Sequence, residues 1–344
     1  MYKNLKEQIL VIGNQGYVGS VLVEHLKKNN TNKILGLDCG IYKKLITSKY
    51  NPDKFVNKHY NQDVRNFDPK ILESVKAVVY LAAISNDPMG NKYEELTREI
   101  NYLSCLKIAN LAKKFGVEKF IFASSCSVYG FGGNDSKKEN DSLDPLTAYA
   151  KSKIDSEEAL YKISDDNFKV VSLRFATACG MSSRLRLDLV LNDFVANAIL
   201  FNEINILSDG LAWRPLIDVK DMAKSIEWAI QVDDKKIDEN FLCLNTGSNN
   251  WNYKVIDLAK QVSRVIGPIS IKVGSKKEID KRSYKVDFTK FSKLASEINI
   301  DNNLDSTIIS LADGIKSIKF LDKNFRDSDF MRLNMLKKYM KDKN

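Results

Sequence analysis

One stretch near the start of the chain constrains the fold more than any other, because it joins two predicted strands through a glycine turn and a helix. The apolar run of residues 8–12 leads into the turn, helical periodicity follows over residues 20–28, and a second apolar run, residues 33–37, ends in Asp38. The turn contains the glycines Gly13, Gly16 and Gly19. Two parallel strands need such a crossover, so the unit predicts a parallel sheet covered by helices.

The glycine turn and Asp38 together predict a dinucleotide site. Glycines allow a tight turn and bring the backbone close to a pyrophosphate at the N-terminus of the following helix. The acid lies about 20 residues beyond the turn, where a ribose hydroxyl pair is recognised, and a carboxylate there would repel the 2′-phosphate of NADP. We therefore expect NAD, although a capping or turn role for Asp38 stays open. The turn residues expected at the cofactor are Gly13, Gln15, Gly16, Tyr17 and Val18.

Strand and helix patterns alternate through the rest of the first half, which is typical of a Rossmann-type, doubly wound parallel sheet of the α/β class. Ligands bind such a sheet at the carboxyl ends of its strands. We expect Asp63 and Val64 to border the adenine, and a long helix over residues 93–115 contains Asn101. The other residues that end predicted strands and are candidates for the site are Leu81, Ala82, Ala83 and Ser125.

Tyr149 and Lys153 lie four residues apart in a segment that reads as a helix beginning near Thr147. On a helix both side chains leave the same face, one turn apart. An ammonium group near a phenol stabilises phenolate, so we expect the pKa of Tyr149 to fall towards neutrality and the phenol to serve as a base. By spacing alone, a surface tyrosine and lysine on an amphipathic helix is the commoner explanation.

Charge and composition narrow the function classes. The chain of 344 residues has a net charge of +9, mostly from lysines spread along it. No basic stripe interleaves with aromatic residues, which argues against nucleic acid as a partner and leaves room for a phosphorylated small molecule. No apolar run approaches the ~18 residues of a membrane span, and we expect no signal peptide. The five dispersed cysteines fit a reducing cytoplasm, and the two histidines form no ligand cluster, so we expect no structural metal.

A set of motifs in a fixed order resembles one known family. In chain order the motifs are the glycine turn, Asp38, Leu81-Ala82-Ala83, Asn101, Ser124-Ser125, Tyr149 with Lys153, and Arg174. The set resembles the extended short-chain dehydrogenase/reductases, and among them the NAD-dependent nucleotide-sugar epimerase/dehydratase family. The resemblance implies that Tyr149 takes the proton of a sugar hydroxyl while hydride passes to the nicotinamide. It implies that Lys153 lowers the pKa of Tyr149 and holds the nicotinamide ribose, and that Ser125 hydrogen-bonds the reacting oxygen.

The resemblance also implies a smaller C-terminal lobe that binds a nucleotide-diphosphate sugar. Arg214 and Arg282 are implied to grip the diphosphate, since guanidinium groups bind phosphate oxygens bidentately. Without the resemblance, both could be surface arginines in salt bridges. The family often has Asn at the position of Thr177, so the contact expected there stays open. The residues expected at the substrate are Ser85, Asn86, Ser125, Thr177, Arg184, Asn192, Arg214 and Arg282.

The predicted organisation has two packed units and a tail. The NAD-binding domain is predicted over residues 1–176 with about 215–248, the substrate lobe over 177–214 and 249–330, and a C-terminal helix and tail over 331–344, frayed from residue 337. By analogy with the fold, we expect a homodimer that pairs helices over residues 93–115 and 150–161.

The two residues that follow Ser125 disfavour two of the reactions known in the family. The 4,6-dehydratases of the family have Asp and Glu directly after the catalytic serine, and the decarboxylases have Glu at the second position, whereas this chain has Cys126 and Ser127. Neither replaces a carboxylic acid–carboxylate pair at neutral pH, so both reactions are disfavoured. The first hypothesis is an NAD-dependent nucleotide-sugar epimerase acting at C4 through a keto intermediate. The alternative is a nucleotide-sugar 4-dehydrogenase or 4-ketoreductase. A non-catalytic NAD-binding sensor is disfavoured, because Tyr149 and Lys153 are both present.

Overall fold

The fold is organised around one parallel sheet. The computed structural model describes residues 8–29, 33–233, 239–274, 282–300, 303–320 and 322–343. Its strands, in chain order, are β1 (Gln8–Ile12), β2 (Lys33–Asp38), β3 (Lys58–Asn61), β4 (Val75–Tyr80), β5 (Lys119–Ser125), β6 (Phe131–Lys137), β7 (Lys169–Phe175), β8 (Thr177–Cys179), β9 (Glu203–Ile206), β10 (Trp213–Asp218), β11 (Phe241–Thr246), β12 (Asn252–Lys254), β13 (Ser270–Val273) and β14 (Ser283–Val286). Seven of them form the sheet in the order β3-β2-β1-β4-β5-β7-β11, with every pair parallel.

Helices connect these strands. They are α1 (Tyr17–Asn29), α2 (Asp87–Lys92), α3 (Glu94–Thr97), α4 (Ser104–Lys114), α5 (Ala148–Ile163), α6 (Val190–Phe201), α7 (Val219–Gln231), α8 (Val255–Ile266), α9 (Thr289–Leu294), α10 (Leu304–Ser317) and α11 (Arg332–Lys343). Among the described residues, no helix is both long and apolar enough to cross a membrane.

Different helices cover the two faces of the sheet, because neighbouring residues of a strand point to opposite sides. In β1, Ile9 and Val11 pack in a buried core with α1 and α7. Leu10 and Ile12 pack on the other face, in a core that includes α4 and Leu160 of α5. Helices on both faces of an all-parallel sheet confirm the predicted Rossmann-type, doubly wound α/β fold.

A second hydrophobic core lies beside the sheet. Leu191 of α6, Leu258 of α8 and Leu311 of α10 are buried in it together with Ile204 of β9. Three small sheets accompany this part of the chain, in the orders β12-β10-β8, β13-β9 and β14-β6. This is the smaller lobe that the sequence predicts, while the residue boundaries given for the two units stay a prediction.

The strand order places a crevice at β1. The chain builds β2 and β3 on one side of β1, and β4, β5, β7 and β11 on the other. Loops from neighbouring strands therefore diverge between the carboxyl ends of β1 and β4, which is where open α/β sheets bind ligands.

Two predicted elements differ from the structure. The helix predicted over residues 93–115 begins at Glu94 and contains a π-helical turn, Arg98–Leu103, between α3 and α4. Such turns are frequent at functional sites, and this one contains Asn101. The second difference is at the C-terminus, where fraying is predicted from residue 337 onward and the structure continues α11 to Lys343. Residue 344 lies outside the described residues.

Candidate active site

A cavity of about 1070 Å³ opens at the crevice. This volume exceeds the roughly 300–1,000 Å³ of a typical single-ligand site, so the cavity has room for two bound molecules. The glycine turn, the carboxyl ends of β2, β4, β5 and β7, the loop before α6, and α11 form its walls.

The glycine turn is too tight for side chains at two of its positions. Gly13 has φ +91°, and a Cβ there would lie 2.8 Å from the backbone nitrogen of Ala82. A Cβ on Gly19 would lie 2.1 Å from the carbonyl oxygen of Gly13. Because Gly13 and Gly19 have no Cβ atom, the turn can pack this tightly. The N-terminus of α1 then faces the cavity, with Gly16, Tyr17 and Val18 in its wall. Backbone N–H groups at a helix N-terminus favour a phosphate there.

Asp38 is fixed next to this turn. Its carboxylate accepts hydrogen bonds from the backbone N–H groups of Gln15 at 3.0 Å and Gly40 at 2.9 Å. Burial raises the pKa of Asp38, and these two hydrogen bonds oppose the increase. Asp38 lines the cavity, which suits a carboxylate that accepts from a ribose diol. Gln15, predicted at the cofactor, does not line the cavity: its backbone N–H donates to Asp38, and its side chain donates to Asp53 at 2.8 Å.

Asp63 and Val64 also line the cavity, beyond Asp38. The Asp63 carboxylate accepts from the backbone of Arg65 at 3.0 Å and pairs with its guanidinium at 2.8 Å. The carboxylate is thus occupied locally, and Val64 offers the apolar surface at this end of the cavity.

The end of β4 is held by Asn101. Leu81, Ala82 and Ala83 line the cavity. The amide of Asn101, by contrast, is fully buried. It accepts from the N–H of Ile84 at 2.8 Å and donates to the Ile84 carbonyl oxygen at 3.1 Å and to Ser152 at 3.0 Å. The predicted cofactor contact of Asn101 is therefore not supported, because its side chain is used to fix the loop after β4.

Ser125, Tyr149 and Lys153 meet at one wall of the cavity. Helix α5 begins at Ala148, and Thr147 caps it by accepting from the N–H of Ala150 at 3.1 Å. Tyr149 and Lys153 then follow one turn apart, as predicted. The Lys153 ammonium lies 5.5 Å from the centre of the Tyr149 ring and donates to the carbonyl oxygen of Ala123 at 2.6 Å.

The acidity of this group of residues differs from the prediction. Burial raises the pKa of Tyr149 to about 12, although its hydrogen bond with Ser125 acts in the opposite direction. Burial also lowers the pKa of Lys153 to about 8. The expected fall of the Tyr149 pKa towards neutrality is therefore wrong for the protein alone, because the cost of burying phenolate outweighs the hydrogen bond with Ser125 and the charge of Arg186.

Tyr149 is also fixed by a close approach of α2. A Cβ on Gly90 would lie 3.1 Å from both the Cβ and the backbone nitrogen of Tyr149. Glycine at this position lets α2 pack directly on the start of α5, and the position of the phenol depends on that contact.

Sequence reasoning missed the carboxylate of Asp87, which lines the cavity near Tyr149. It accepts a hydrogen bond from the Thr147 hydroxyl at 2.7 Å and forms an ion pair with Arg282. The segment of residues 85–88 gave a signal, since Asn86 and Pro88 mark a helix start directly after a predicted strand. That signal does not indicate the direction of the Asp87 side chain.

Five of the residues predicted at the substrate, besides Ser125, line the cavity: Ser85, Asn86, Thr177, Arg214 and Arg282. The two arginines are neighbours, because Arg214 donates a hydrogen bond to the Arg282 carbonyl oxygen. Arg282 in turn pairs with Asp87, so the two arginines and this carboxylate form one group in the cavity wall.

Arg184 and Asn192 do not line the cavity. Arg184 is fully buried, donates to the carbonyl oxygens of Tyr42 and Lys43, and pairs with Asp53 at 2.8 Å. The substrate contact predicted for Arg184 is wrong in this structure, because the carbonyl oxygens and Asp53 occupy its guanidinium.

Asn192 is likewise buried. Its amide accepts from the N–H of Gly180 at 3.0 Å and donates to the Arg186 carbonyl oxygen at 3.0 Å. The predicted contact of Asn192 with the substrate diphosphate is therefore not supported, because the amide holds the loop before α6.

The two positions after Ser125 bring no acid to the cavity. The Cys126 thiol is buried and donates to the carbonyl oxygen of Arg174 at 3.1 Å, and burial raises its pKa. Ser127 lines the cavity. Arg174 is a buried structural residue that pairs with Glu157 at 2.7 Å. Within the described ranges, no three His, Cys, Asp or Glu side chains are grouped so that they could hold a metal ion.

A parallel doubly wound sheet, a glycine turn at a helix N-terminus and an acid after the second strand define a dinucleotide-binding Rossmann protein. A sequence profile of the NAD dependent epimerase/dehydratase family matches residues 9–243. The chain belongs to this family and uses NAD, for which the glycine turn and Asp38 are suited.

One relative in sequence and two solved structures illustrate what the chain is similar to. The UDP-glucose 4-epimerase of Lactobacillus helveticus is 24% identical over 320 residues, which cover 88% of this chain and 94% of that protein. Among solved structures, an NAD-dependent NDP-hexosamine 5,6-dehydratase of tunicamycin biosynthesis has a TM-score of 0.78 at 20% identity, with 92% of this chain and all of that chain covered. The UDP-glucuronic acid 4-epimerase of Bacillus cereus, in complex with UDP-glucuronic acid and NAD, has a TM-score of 0.75 at 22% identity, with 90% and 99% covered. At these identities the structures show a shared fold.

Proposed function

We propose that the protein is a nucleotide-sugar epimerase that inverts a hydroxyl-bearing carbon, C4 of the hexose, through a keto sugar. The observation that carries the proposal is the meeting of Ser125, Tyr149 and Lys153 in one cavity with the glycine turn and with Arg214 and Arg282. A proton acceptor then lies between a dinucleotide subsite and a pair of guanidinium groups suited to a sugar diphosphate.

NAD, when bound, accepts hydride from the sugar carbon and returns it. Tyr149 takes the proton of the sugar hydroxyl at its phenolic oxygen, and Ser125 hydrogen-bonds the same sugar oxygen. A positive charge bound beside the phenol, such as that of an oxidised nicotinamide, would lower the Tyr149 pKa and make phenolate accessible. Lys153, whose ammonium donates to the Ala123 carbonyl oxygen, would hold the nicotinamide ribose. Tyr149 returns the proton when hydride returns to the opposite face.

The side chains at positions 126 and 127 support epimerisation over elimination of water. Elimination needs a general acid and a general base beside the reacting carbons, which in the 4,6-dehydratases of the family are Asp and Glu directly after the catalytic serine. Cys126 donates to the Arg174 carbonyl oxygen and does not line the cavity, and the carboxylate of Asp87, near Tyr149, is paired with Arg282. The reaction therefore needs hydride and a single proton.

We also propose that the protein is a cytoplasmic homodimer of carbohydrate biosynthesis. Two large hydrophobic side chains are exposed on adjacent helices, Leu103 at the end of the π turn and Tyr161 on α5. Exposed apolar residues on packed helices suit a self-complementary contact between two copies.

The test is turnover of a panel of nucleoside-diphosphate hexoses by the purified protein, with products separated by chromatography and identified by NMR. Mass spectrometry of any nucleotide that co-purifies directs the choice of panel. An epimerase forms the epimer with no net absorbance change at 340 nm. Accumulation of reduced cofactor, or a need for a second redox substrate, would instead identify a 4-dehydrogenase or 4-ketoreductase.

A further inference from the structure

The last described helix, α11, crosses the dinucleotide crevice. Its residue Leu336 is buried against Ile84 and Met89, and Leu333 and Met340 pack in the same cluster, which also contains Ile41. Ile41 belongs to the loop after β2, and Ile84 to the loop after β4. Because β1 lies between β2 and β4 in the sheet, a helix that contacts both loops lies in front of the glycine turn.

Arg332 begins this helix, lines the cavity and is only 2% exposed. Its Nη2 donates to the Arg184 carbonyl oxygen at 2.7 Å, and its guanidinium lies 4.2 Å from the centre of the Tyr42 ring. Its Nη1 is buried and has no hydrogen-bond partner. Among the described residues, no carboxylate forms an ion pair with Arg332. Asp188 is close enough to raise the Arg332 pKa, but its carboxylate is paired with Arg186, so Arg332 has no anion of its own.

A second arginine adds to the positive charge at this point. Arg186 lines the cavity, pairs with Asp188 at 2.6 Å and donates to the Ser85 hydroxyl at 3.0 Å. Both Arg186 and Tyr17, the first residue of α1, are close enough to Arg332 to influence its pKa electrostatically. Arg332 lines the same cavity as Gly16, Tyr17 and Val18 at the start of α1, the helix N-terminus that binds phosphate in this fold.

We propose that Arg332 binds the diphosphate of the dinucleotide, and that α11 covers the cofactor across the crevice. A diphosphate would supply the hydrogen-bond acceptor that Nη1 lacks and the negative charge that the site lacks. Arg332 lies outside residues 9–243, to which the family profile is matched. The proposal rests on NAD binding and not on which sugar is converted. A covered cofactor dissociates slowly, which suits a reaction that returns hydride to the molecule that gave it.

The test compares Arg332→Gln with Lys338→Gln, which removes a positive charge from an exposed position of the same helix. The holoprotein is mixed with excess isotopically labelled NAD, and mass spectrometry follows the exchange of bound cofactor. We expect exchange to be about 10-fold faster or more in Arg332→Gln, as for loss of a hydrogen bond to a charged group, and unchanged in Lys338→Gln. Unchanged exchange in Arg332→Gln would overturn the proposal.

Binding of fragments separates direct contact from a structural role. We expect the affinity of Arg332→Gln for ADP-ribose to fall about 10-fold, while its affinities for adenosine and for UDP stay at the wild-type values. Equal losses for ADP-ribose and adenosine would show that Arg332 only positions the helix. A loss confined to UDP would assign the guanidinium to the diphosphate of the nucleotide sugar. Either outcome would overturn the assignment to the dinucleotide.

A charge-conserving variant covers the case in which Arg332→Gln does not fold. Arg332→Lys keeps the positive charge but has a single donor group. We expect it to retain most of the ADP-ribose affinity, within about 3-fold of wild type, and to keep the decrease of that affinity with rising salt. A salt dependence unchanged from wild type in Arg332→Gln, or a complete loss of affinity in a folded Arg332→Lys, would contradict the charge contact.

Discussion

Lys153 and Tyr149 lie one helical turn apart, yet the Lys153 ammonium donates to the Ala123 carbonyl oxygen at 2.6 Å and remains 5.5 Å from the centre of the Tyr149 ring. Burial favours the neutral form of both groups, raising the pKa of Tyr149 to about 12 and lowering that of Lys153 to about 8. The spacing alone therefore does not make a phenolate. A further positive charge beside the phenol would be needed to lower its pKa.

Replacing the phenol should separate chemistry from cofactor binding. We expect Tyr149→Phe to lose about 10³-fold or more in turnover, within the range for removing a general acid–base group, and to retain bound NAD. Tyr161→Phe, on the exposed side of the same helix, should be as active as wild type. Wild-type turnover in Tyr149→Phe would exclude Tyr149 as the base.

The buried ammonium predicts a pH dependence of stability. The lowering of the Lys153 pKa from 10.5 to about 8 corresponds to a net cost of about 3 kcal/mol at pH 7, while a methionine in its place would lose the hydrogen bond to Ala123, about 1 kcal/mol. Between pH 8 and 10.5 the unfolded chain keeps the proton that folded Lys153 has released, so this contribution to stability rises with pH.

Lys153→Met should therefore increase the free energy of unfolding by about 1–2 kcal/mol at pH 7, and the difference should shrink as the pH passes from 8 to 10.5. Urea denaturation of nucleotide-free wild type and variant at several pH values measures it. A variant that is less stable at pH 7, or a pH-independent difference, would contradict the assigned burial cost.

Arg282 should act on the substrate and not on the cofactor. We expect Arg282→Ala to raise KM for the nucleotide sugar about 10–100-fold, as for a lost hydrogen bond between charged groups, and to leave the Kd for NAD within twofold. Arg264→Ala removes an exposed arginine that pairs with Asp305 on the neighbouring helix, and it should change neither value. An unchanged KM in Arg282→Ala would remove Arg282 from the substrate site.

Asp38 should decide between the two dinucleotides. We expect Asp38→Asn to weaken NAD binding about 10-fold and to narrow the preference for NAD over NADP, because the repulsion of the 2′-phosphate is lost. Asp68→Asn, at an exposed acid that caps a short 3₁₀ turn, is the control. An equal preference for NAD over NADP in Asp38→Asn and wild type would show that Asp38 does not contact the ribose hydroxyls.

The proposed dimer contact is tested by charge. Tyr161→Glu together with Leu103→Glu places two carboxylates on the exposed helix surface, and light scattering should then report half the wild-type mass. Lys151→Glu, at an exposed position near the start of α5, serves as the comparison. A wild-type protein that is already monomeric at micromolar concentration would exclude the dimer.

The features predicted best from sequence are those set by local spacing. The glycines of the turn, Asp38 and the Tyr149/Lys153 pair each lie within one strand–helix unit, and the parallel sheet then brings their elements to the same edge. Arg184 and Asn192 are predicted at the substrate but do not line the cavity, because the residue types in a loop do not determine which side chains turn inward. Both are directed into the protein by partners distant in sequence, such as Asp53 for Arg184.

The wall formed by α11 could not be predicted from the pattern of its residues. Leu333, Leu336 and Met340 indicate an amphipathic helix, but its partners, Ile41 and Ile84, lie more than 200 positions earlier in the chain. The direction of Asp87 and the burial of Arg332 depend on the same kind of long-range packing. Periodicity does not report such contacts.

The close approach of α2 to α5 limits what can be inferred from the presence of the serine, tyrosine and lysine alone. Alanine in place of Gly90 would have its methyl group 3.1 Å from the Tyr149 Cβ, so one of the two helices must yield by a few tenths of an ångström, and a larger side chain would displace the phenol further. Misplacement by about 1 Å can cost 100-fold in rate. A homologue that keeps all three side chains would therefore lose activity through a single methyl group on another helix. Predicting catalytic activity from a homologous sequence requires the residue at position 90 as well as the residue at position 149.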